Sequence, residues 1–420
     1  MGKYKKYTTK FKKVFIVLFM LMTFLLLYFG FSGILKKYNK FGYFVTGPNT
    51  AYPHFISNRG LVRLNNGNIL ILGTHYQNNS NGHLTYIPTE LYNVTSNEIE
   101  TFNLNMDKNL VFKPEGILLN DNKLLLTSVG NKSNPGYPSV TFNRNSKFKY
   151  LEFGFTDAPD AIPYNNMAII DLKKNKVEKI IPKKLEHKYH TITKSGISPQ
   201  VITGYKAVNL FENFLEIFDL KTGTSKIISF DYDYIIDTLV NTSNGILLLG
   251  INADTLKPII IRFDEKTETL ENLGVRNSYR VPIVQDLLNA KLLIIGTKAI
   301  NVSRYSYGEI YDLKNKKTLK TIPLLRDDFS SETEPPFSLF ELNDRYIMIL
   351  GGCVGYYPIT GPRYIQNTEI IDVQNNVVKK GPKAPFSNAA TIKLDNGDIF
   401  LIVGNKTAIF KVNKTLKGEK

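Results

Sequence analysis

Tryptophan is absent from these 420 residues, cysteine occurs once, and histidine occurs five times. A single cysteine, Cys353, can form no internal disulfide and no cysteine-based zinc site. The chain must therefore be held by an apolar core, and its length permits one. No acidic residue occurs in the first forty positions, which carry nine lysines. Those lysines inflate the net charge of +16; beyond them, 44 basic residues face 37 acidic ones. The excess is a topology signal, and no basic stripe interleaved with aromatics points to nucleic acid. Also missing are a phosphate-cradling glycine loop before a helix, a Gly-x-Ser-x-Gly elbow and a His-Glu-x-x-His pair. These absences remove the best-marked nucleotide, esterase and metalloprotease chemistries.

Residues 1–13 carry six lysines, and residues 14–35 then form an uncharged, strongly apolar run. At ~1.5 Å per residue, that run spans a hydrocarbon core of about 30 Å as a helix. Lys36, Lys37 and Lys40 close it. It exceeds the usual ~7–15 residue core of a cleavable signal peptide, and no Ala-x-Ala site follows. A retained signal-anchor is expected, with a basic cytoplasmic N-terminus and the remainder exported. No cysteine lies nearby for a lipid anchor. Lys6 occupies the position where a myristoylation signal needs Ser or Thr.

A repeated phrase fills the rest. Residues 390–413 show its form: an apolar strand, the turn Asp395-Asn396-Gly397-Asp398, a second apolar strand ending at Gly404, then a third. Asn-Gly between apolar runs is a hairpin signal, because both residues tolerate φ > 0 cheaply. Residues 62–102, 117–180, 239–272, 286–322 and 339–380 repeat the phrase with a fourth strand. A further unit, between Tyr189 and Phe230, is marked clearly only from Leu215 to Gly223. The unit glycines are Gly73, Gly130, Gly204, Gly250, Gly296, Gly351 and Gly404. Their spacing suits propeller repeats of ~40–50 residues with four strands per blade. Such sheets bury their faces only by packing radially on one another.

An apolar strand ending in Gly, a variable loop, and then Glu90-Leu91-Tyr92-Asn93, Glu309-Ile310-Tyr311-Asp312 or Glu369-Ile370-Ile371-Asp372 before a polar turn resembles the kelch repeat. The pattern is shared by kelch propellers and the central domain of galactose-oxidase-like proteins. Only Gly351-Gly352 keeps the glycine pair, and the tryptophan common in kelch repeats is missing. The resemblance implies an all-β, kelch-type β-propeller over residues 41–420, with seven four-stranded blades, behind one transmembrane helix. Tyr43 to Thr46, followed by Gly47-Pro48, matches Val377 to Lys380, followed by Gly381-Pro382. Residues 42–46 are therefore expected to supply the outer strand of the last blade and close the ring.

Ligands on such a scaffold meet the loops after each second strand and those joining blades. Here those are residues 74–88, 131–165, 297–307 and 353–367, with joins at 54–60, 276–280 and 326–337. His75, Tyr76, Tyr164, Arg280, Arg304, Tyr305, Tyr357 and Arg363 are the candidate ligand-binding residues on this face. No catalytic residue is assigned, and neither metal nor cofactor is expected. Asp157, Asp160, Glu332 and Glu334 could supply a carboxylate pair only if folding sets their separation. Tyr189-His190 and Cys353 do not fall where a copper-radical oxidase would need them. Asp171, Asp219, Asp264, Asp312 and Asp372 end third strands and read as turn caps. The expected protein is a single-pass cell-membrane protein whose extracytoplasmic propeller binds a glycan or another protein. A carbohydrate-active hydrolase, epimerase or oxidase on the same scaffold is the alternative.

Overall fold

A computed structural model describes residues 40–54, 58–77, 84–106, 110–119, 122–131, 166–183, 201–203, 206–211, 214–229, 234–297, 304–305, 307–325, 329–330, 337–351, 353–357, 361–364, 366–387 and 389–418. Among them, no helix is long and apolar enough to cross a membrane. The expected span at 14–35 lies outside the described residues.

The chain forms an all-β propeller. Among the described residues six sheets are four-stranded blades, each an antiparallel meander with one exception at the ring closure. Blade 1 comprises Leu61–Arg63, Ile69–Ile71, Thr89–Asn93 and Glu98–Phe102. Blade 2 comprises Val201–Thr203, Lys206–Phe211, Phe214–Asp219 and Thr224–Ser229. Blade 3 comprises Tyr234–Thr242, Gly245–Asn252, Pro258–Asp264 and Thr269–Val275. Blade 4 comprises Tyr279–Leu287, Lys291–Thr297, Tyr307–Asp312 and Lys317–Pro323. Blade 5 comprises Phe337–Glu341, Tyr346–Gly351, Glu369–Asp372 and Val377–Lys380. Blade 6 takes Ala390–Lys393, Ile399–Val403 and Lys406–Val412 from the end of the chain and Gly42–Thr46 from its beginning.

Seven four-stranded blades were expected, and that number is corrected to six. The second sequence unit is instead part of a seven-stranded sheet. Its strands Gly116–Leu119, Lys123–Asn131, Asn166–Asp171 and Lys176–Pro182 pair in blade order. However, Lys123–Asn131 is nine residues long. Past the irregularity between Leu126 and Val129 it pairs with Leu110–Phe112. That short strand in turn carries the hairpin Thr74–Gln77 and Leu84–Ile87, which rises out of blade 1. An overlong second strand thus offers an edge, and neighbouring connections cover it.

Seven apolar clusters seal the ring. Each spans two neighbouring sheets, from Leu70 against Leu124 to Leu249 against Ile294 and Met348 against Leu401. Tyr92 of blade 1 stacks on Phe400 of blade 6 with centroids 4.6 Å apart. Middle strands such as Ile69–Ile71 and Tyr307–Asp312 are buried throughout because both faces meet other sheets. Fourth strands such as Thr224–Ser229 are largely solvent-facing. The closing strand behaves as expected: Gly42 to Thr46 pair with Val412 to Ala408. Backbone bonds from Gly47 to Thr407 and from His54 to Gly404 extend the seam.

One turn recurs six times among the described residues, between third and fourth strands. Asn93, Asp171, Asp219, Asp264, Asp312 and Asp372 each accept backbone N–H groups two or three residues ahead. Four residues after each of them stands one with φ between 50° and 77°: Asn97, Asn175, Gly223, Glu268, Lys316 and Asn376. The aspartates are turn caps, as the sequence implied. The poorly marked unit is a full blade, whose second strand begins at Lys206. Gly204 precedes that strand and so does not end it, which corrects its assignment as a unit glycine.

Candidate binding face

Antiparallel blades have two ends. First-to-second and third-to-fourth turns share one end, the turn face. Second-to-third connections and blade-to-blade joins share the other, the insertion face. Four third strands carry a glutamate at the insertion end, Glu90, Glu216, Glu309 and Glu369, all at most 1% exposed. A buried carboxylate must be fully hydrogen-bonded or paired. Here the incoming join from the previous sheet supplies the partners.

Glu309 accepts from Asn277 N at 2.8 Å, Ser278 N at 2.9 Å and Ser278 Oγ at 2.8 Å, and also from Thr318 Oγ1. Glu90 accepts from Ala51 N at 2.8 Å and meets His54 Nε2 at 2.5 Å. Glu369 accepts from Leu325 N at 3.2 Å. At Glu216 the join supplies the ammonium of Lys183, itself 5% exposed. Burial pushes Lys183 down to about 8, opposed by the negative charges of Glu115 and Glu216 and reinforced by Lys113. Glu115 also accepts from Ser128 Oγ at 2.8 Å. Arg276, in the join into blade 4, is buried and donates to Ser278, Gly250 and Ile259. These groups position the joins; Glu309 in particular has its oxygens occupied by donors. The Nδ1 of His54 is buried without a hydrogen-bond partner.

Above this layer the second-to-third connections build further strands. Expected as loops, they are corrected in three places: backbone that leaves a blade over a neighbouring edge satisfies its polar groups by pairing. Thr74–Gln77 pairs with Leu84–Ile87, Arg304–Tyr305 with Phe329–Ser330, and Cys353–Tyr357 with Gly361–Tyr364. The last two pairs stand side by side, with Phe329–Ser330, from the join into blade 5, against Cys353–Tyr357.

The candidate residues fall into two groups. His75 and Tyr76 lie on Thr74–Gln77, opposite Tyr86 and Thr85, where blade 1 meets the seven-stranded sheet. Arg304 and Tyr305 lie opposite Ser330 and Phe329, and it is Phe329–Ser330 that meets the hairpin holding Tyr357 and Arg363. Arg280 follows Tyr279 at the start of the first strand of blade 4. Tyr164 lies outside the described residues, as do Asp157, Asp160, Tyr189, His190, Glu332 and Glu334. Among the described residues no group of three or more His, Cys, Asp or Glu side chains is placed to hold a metal ion.

The buried glutamates were not read as structural from sequence. Their signal was present, as a carboxylate within the first three residues of a largely apolar third strand in Glu-Leu-Tyr-Asn, Glu-Ile-Phe-Asp, Glu-Ile-Tyr-Asp and Glu-Ile-Ile-Asp.

No protein-family model matches the chain, and no curated protein sequence does. Solved structures share its shape. A chain of a mitotic checkpoint complex is similar over 89% of this chain and 93% of its own, with a TM-score of 0.51 and 9% identity. A streptogramin B lyase is similar over 88% of this chain and 98% of its own, with a TM-score of 0.48 and 10% identity. A fungal alcohol oxidase of the AA5 family, solved with copper, is similar over 89% of this chain and 76% of its own, with a TM-score of 0.48 and 12% identity. At such identities the likeness is one of fold.

Proposed function

We propose that this chain is a membrane-anchored, kelch-type propeller whose insertion face binds a glycan or another protein. The observation that carries this reading is the asymmetry between the two ends of the blades. At the turn face the third-to-fourth connections are one short turn repeated. At the insertion face three connections grow into paired strands bearing Tyr and Arg: Tyr76, Arg304, Tyr305, Tyr357 and Arg363. Aromatic and guanidinium groups suit recognition of sugar faces, carboxylates or protein hot spots. The kelch-type assignment rests on the Glu-Ile-Tyr-Asp strands and the strand exchange at closure. The anchor rests on the uncharged run at 14–35 between lysine clusters.

The test is to incubate the full chain, in detergent, with a mixed glycan library and read retention and product masses together. Retention without a mass change is the expected result, and it should weaken at least ~10-fold in a Tyr357→Ala, Arg363→Ala double variant if these are hot-spot contacts. A product of altered mass would make the protein an enzyme and replace this reading. Neither retention nor change would remove glycans and leave a protein ligand.

A further inference from the structure

The path of the chain into the propeller assigns the two faces an orientation. Asn413 donates from N to Phe41 O at 3.1 Å and from Nδ2 to Lys40 O at 3.1 Å. The Phe41 ring meets Tyr346 edge-on, with centroids 5.2 Å apart. Asn343, in the first-to-second turn of blade 5, donates to Leu416 O. Lys40 and Phe41 therefore sit among turns, and whatever precedes them must leave from the turn face. Gly42–Thr46 then runs toward the insertion face, as its register with Val412 to Ala408 requires.

The turn face itself carries exposed lysines on several sheets: Lys40 and Lys414 at blade 6, Lys314 at blade 4, Lys266 at blade 3 and Lys173 on the seven-stranded sheet. Leu288, in the first-to-second turn of blade 4, is 61% exposed. Acids share this face: Asp395 is paired with Arg63 and Glu268 with Lys226, while Asp344, in the first-to-second turn of blade 5, and Glu98, at the start of the fourth strand of blade 1, are exposed. Leu256 and Leu325, at the other end, are exposed too. An apolar tip alone thus does not choose a face; the entry of the chain does. Lysines on the same face as an exposed leucine are a combination that suits an interface of anionic headgroups.

We propose that the turn face seats on anionic lipid headgroups, with Lys40, Lys314 and Lys414 on phosphates and Leu288 at the headgroup boundary. The insertion face is then held away from the membrane, toward ligand. This rests on the anchor reading at 14–35.

The experiment uses the full chain with Cys353→Ser, reconstituted in phosphatidylcholine vesicles with and without phosphatidylglycerol. Single cysteines at Leu288→Cys, Lys314→Cys or Asp254→Cys carry a fluorophore, and Asp254, on the insertion face, is the reference. Lipids with a nitroxide headgroup act as quencher. Severalfold stronger quenching at 288 and 314 than at 254, rising with phosphatidylglycerol and falling with salt, is expected. Equal quenching, a reversed order or indifference to phosphatidylglycerol would overturn the proposal. Alkaline extraction separates the two readings. A chain that stays in the vesicles with unquenched turn labels keeps its anchor and loses this inference. A chain that is extracted loses both.

Discussion

A carboxylate taken out of water loses several kcal/mol of hydration unless protein groups replace it. At Glu309 four donors do so, two of them backbone N–H groups of the incoming join. At Glu216 the replacement is an ammonium, and the exchange is less even. Burial, reinforced by Lys113 and only partly offset by Glu115 and Glu216, drives Lys183 down to about 8 from 10.5, so between those values the unfolded chain holds a proton that the folded chain has released. Stability then rises with pH across that window. Urea unfolding of wild type and Lys183→Met at pH 7.5, 8.5 and 9.5 should show the difference moving in favour of wild type, by up to ~1.4 kcal/mol per pH unit. Tyr307 and Tyr311, both pushed up to about 12 chiefly by burial, are common to both proteins and cancel. A constant difference would mean that Lys183 is an ordinary amine. None of this was legible in Lys183-Lys184, which reads as a solvated pair until Glu115 and Glu216 are brought to it.

The closing strand is legible at the scale of the element because its words repeat. Gly-Pro follows both Gly42–Thr46 and Val377–Lys380, and the last unit lacks a fourth strand of its own. The structure adds why a glycine begins it. Gly42 has φ +145°, and a Cβ there would stand 2.2 Å from Lys411 O. Gly404 serves a different need: its φ is +57°, with nothing within 4 Å of a Cβ. Gly42→Ala should therefore cost about 1–3 kcal/mol through a strained backbone at the seam. Gly404→Asn should stay within about 1 kcal/mol, because Asn tolerates the left-handed region. Thermal unfolding of the two variants measures both, and equal losses would mean that crowding at Gly42 relaxes freely. The extra strands of the insertion face were not legible, because Arg304–Tyr305 and Phe329–Ser330 are two residues each and gain strand character only from one another.

At the scale of the molecule, each of the six described blades and the seven-stranded sheet packs against two others, and no blade has a complete core alone. Leu401 belongs to the cluster between blades 5 and 6, and Ile294 to the one between blades 3 and 4, both fully buried. Leu401→Ala and Ile294→Ala should each cost about 2–5 kcal/mol. If the closed ring unfolds as one unit, both should shift a single transition in circular dichroism and in tyrosine fluorescence alike. Transitions that separate by probe in one variant only would show that the seam opens on its own.

The sequence by itself determined most of the blade strands, the turns with their capping aspartates, the repeat and the strand that closes it. All of these are set by local pattern: alternation, Asn-Gly and Asp at fixed offsets, and phrases that recur. Tertiary structure alone decided which connections pair with which. It merged one unit into a seven-stranded sheet, turned glutamates into fastenings for the joins, and placed the entry of the chain on the turn face. Those outcomes depend on partners more than thirty residues away, such as Asn277 for Glu309 or Asn413 for Lys40. Local pattern carries no information about distances that only the closed ring establishes.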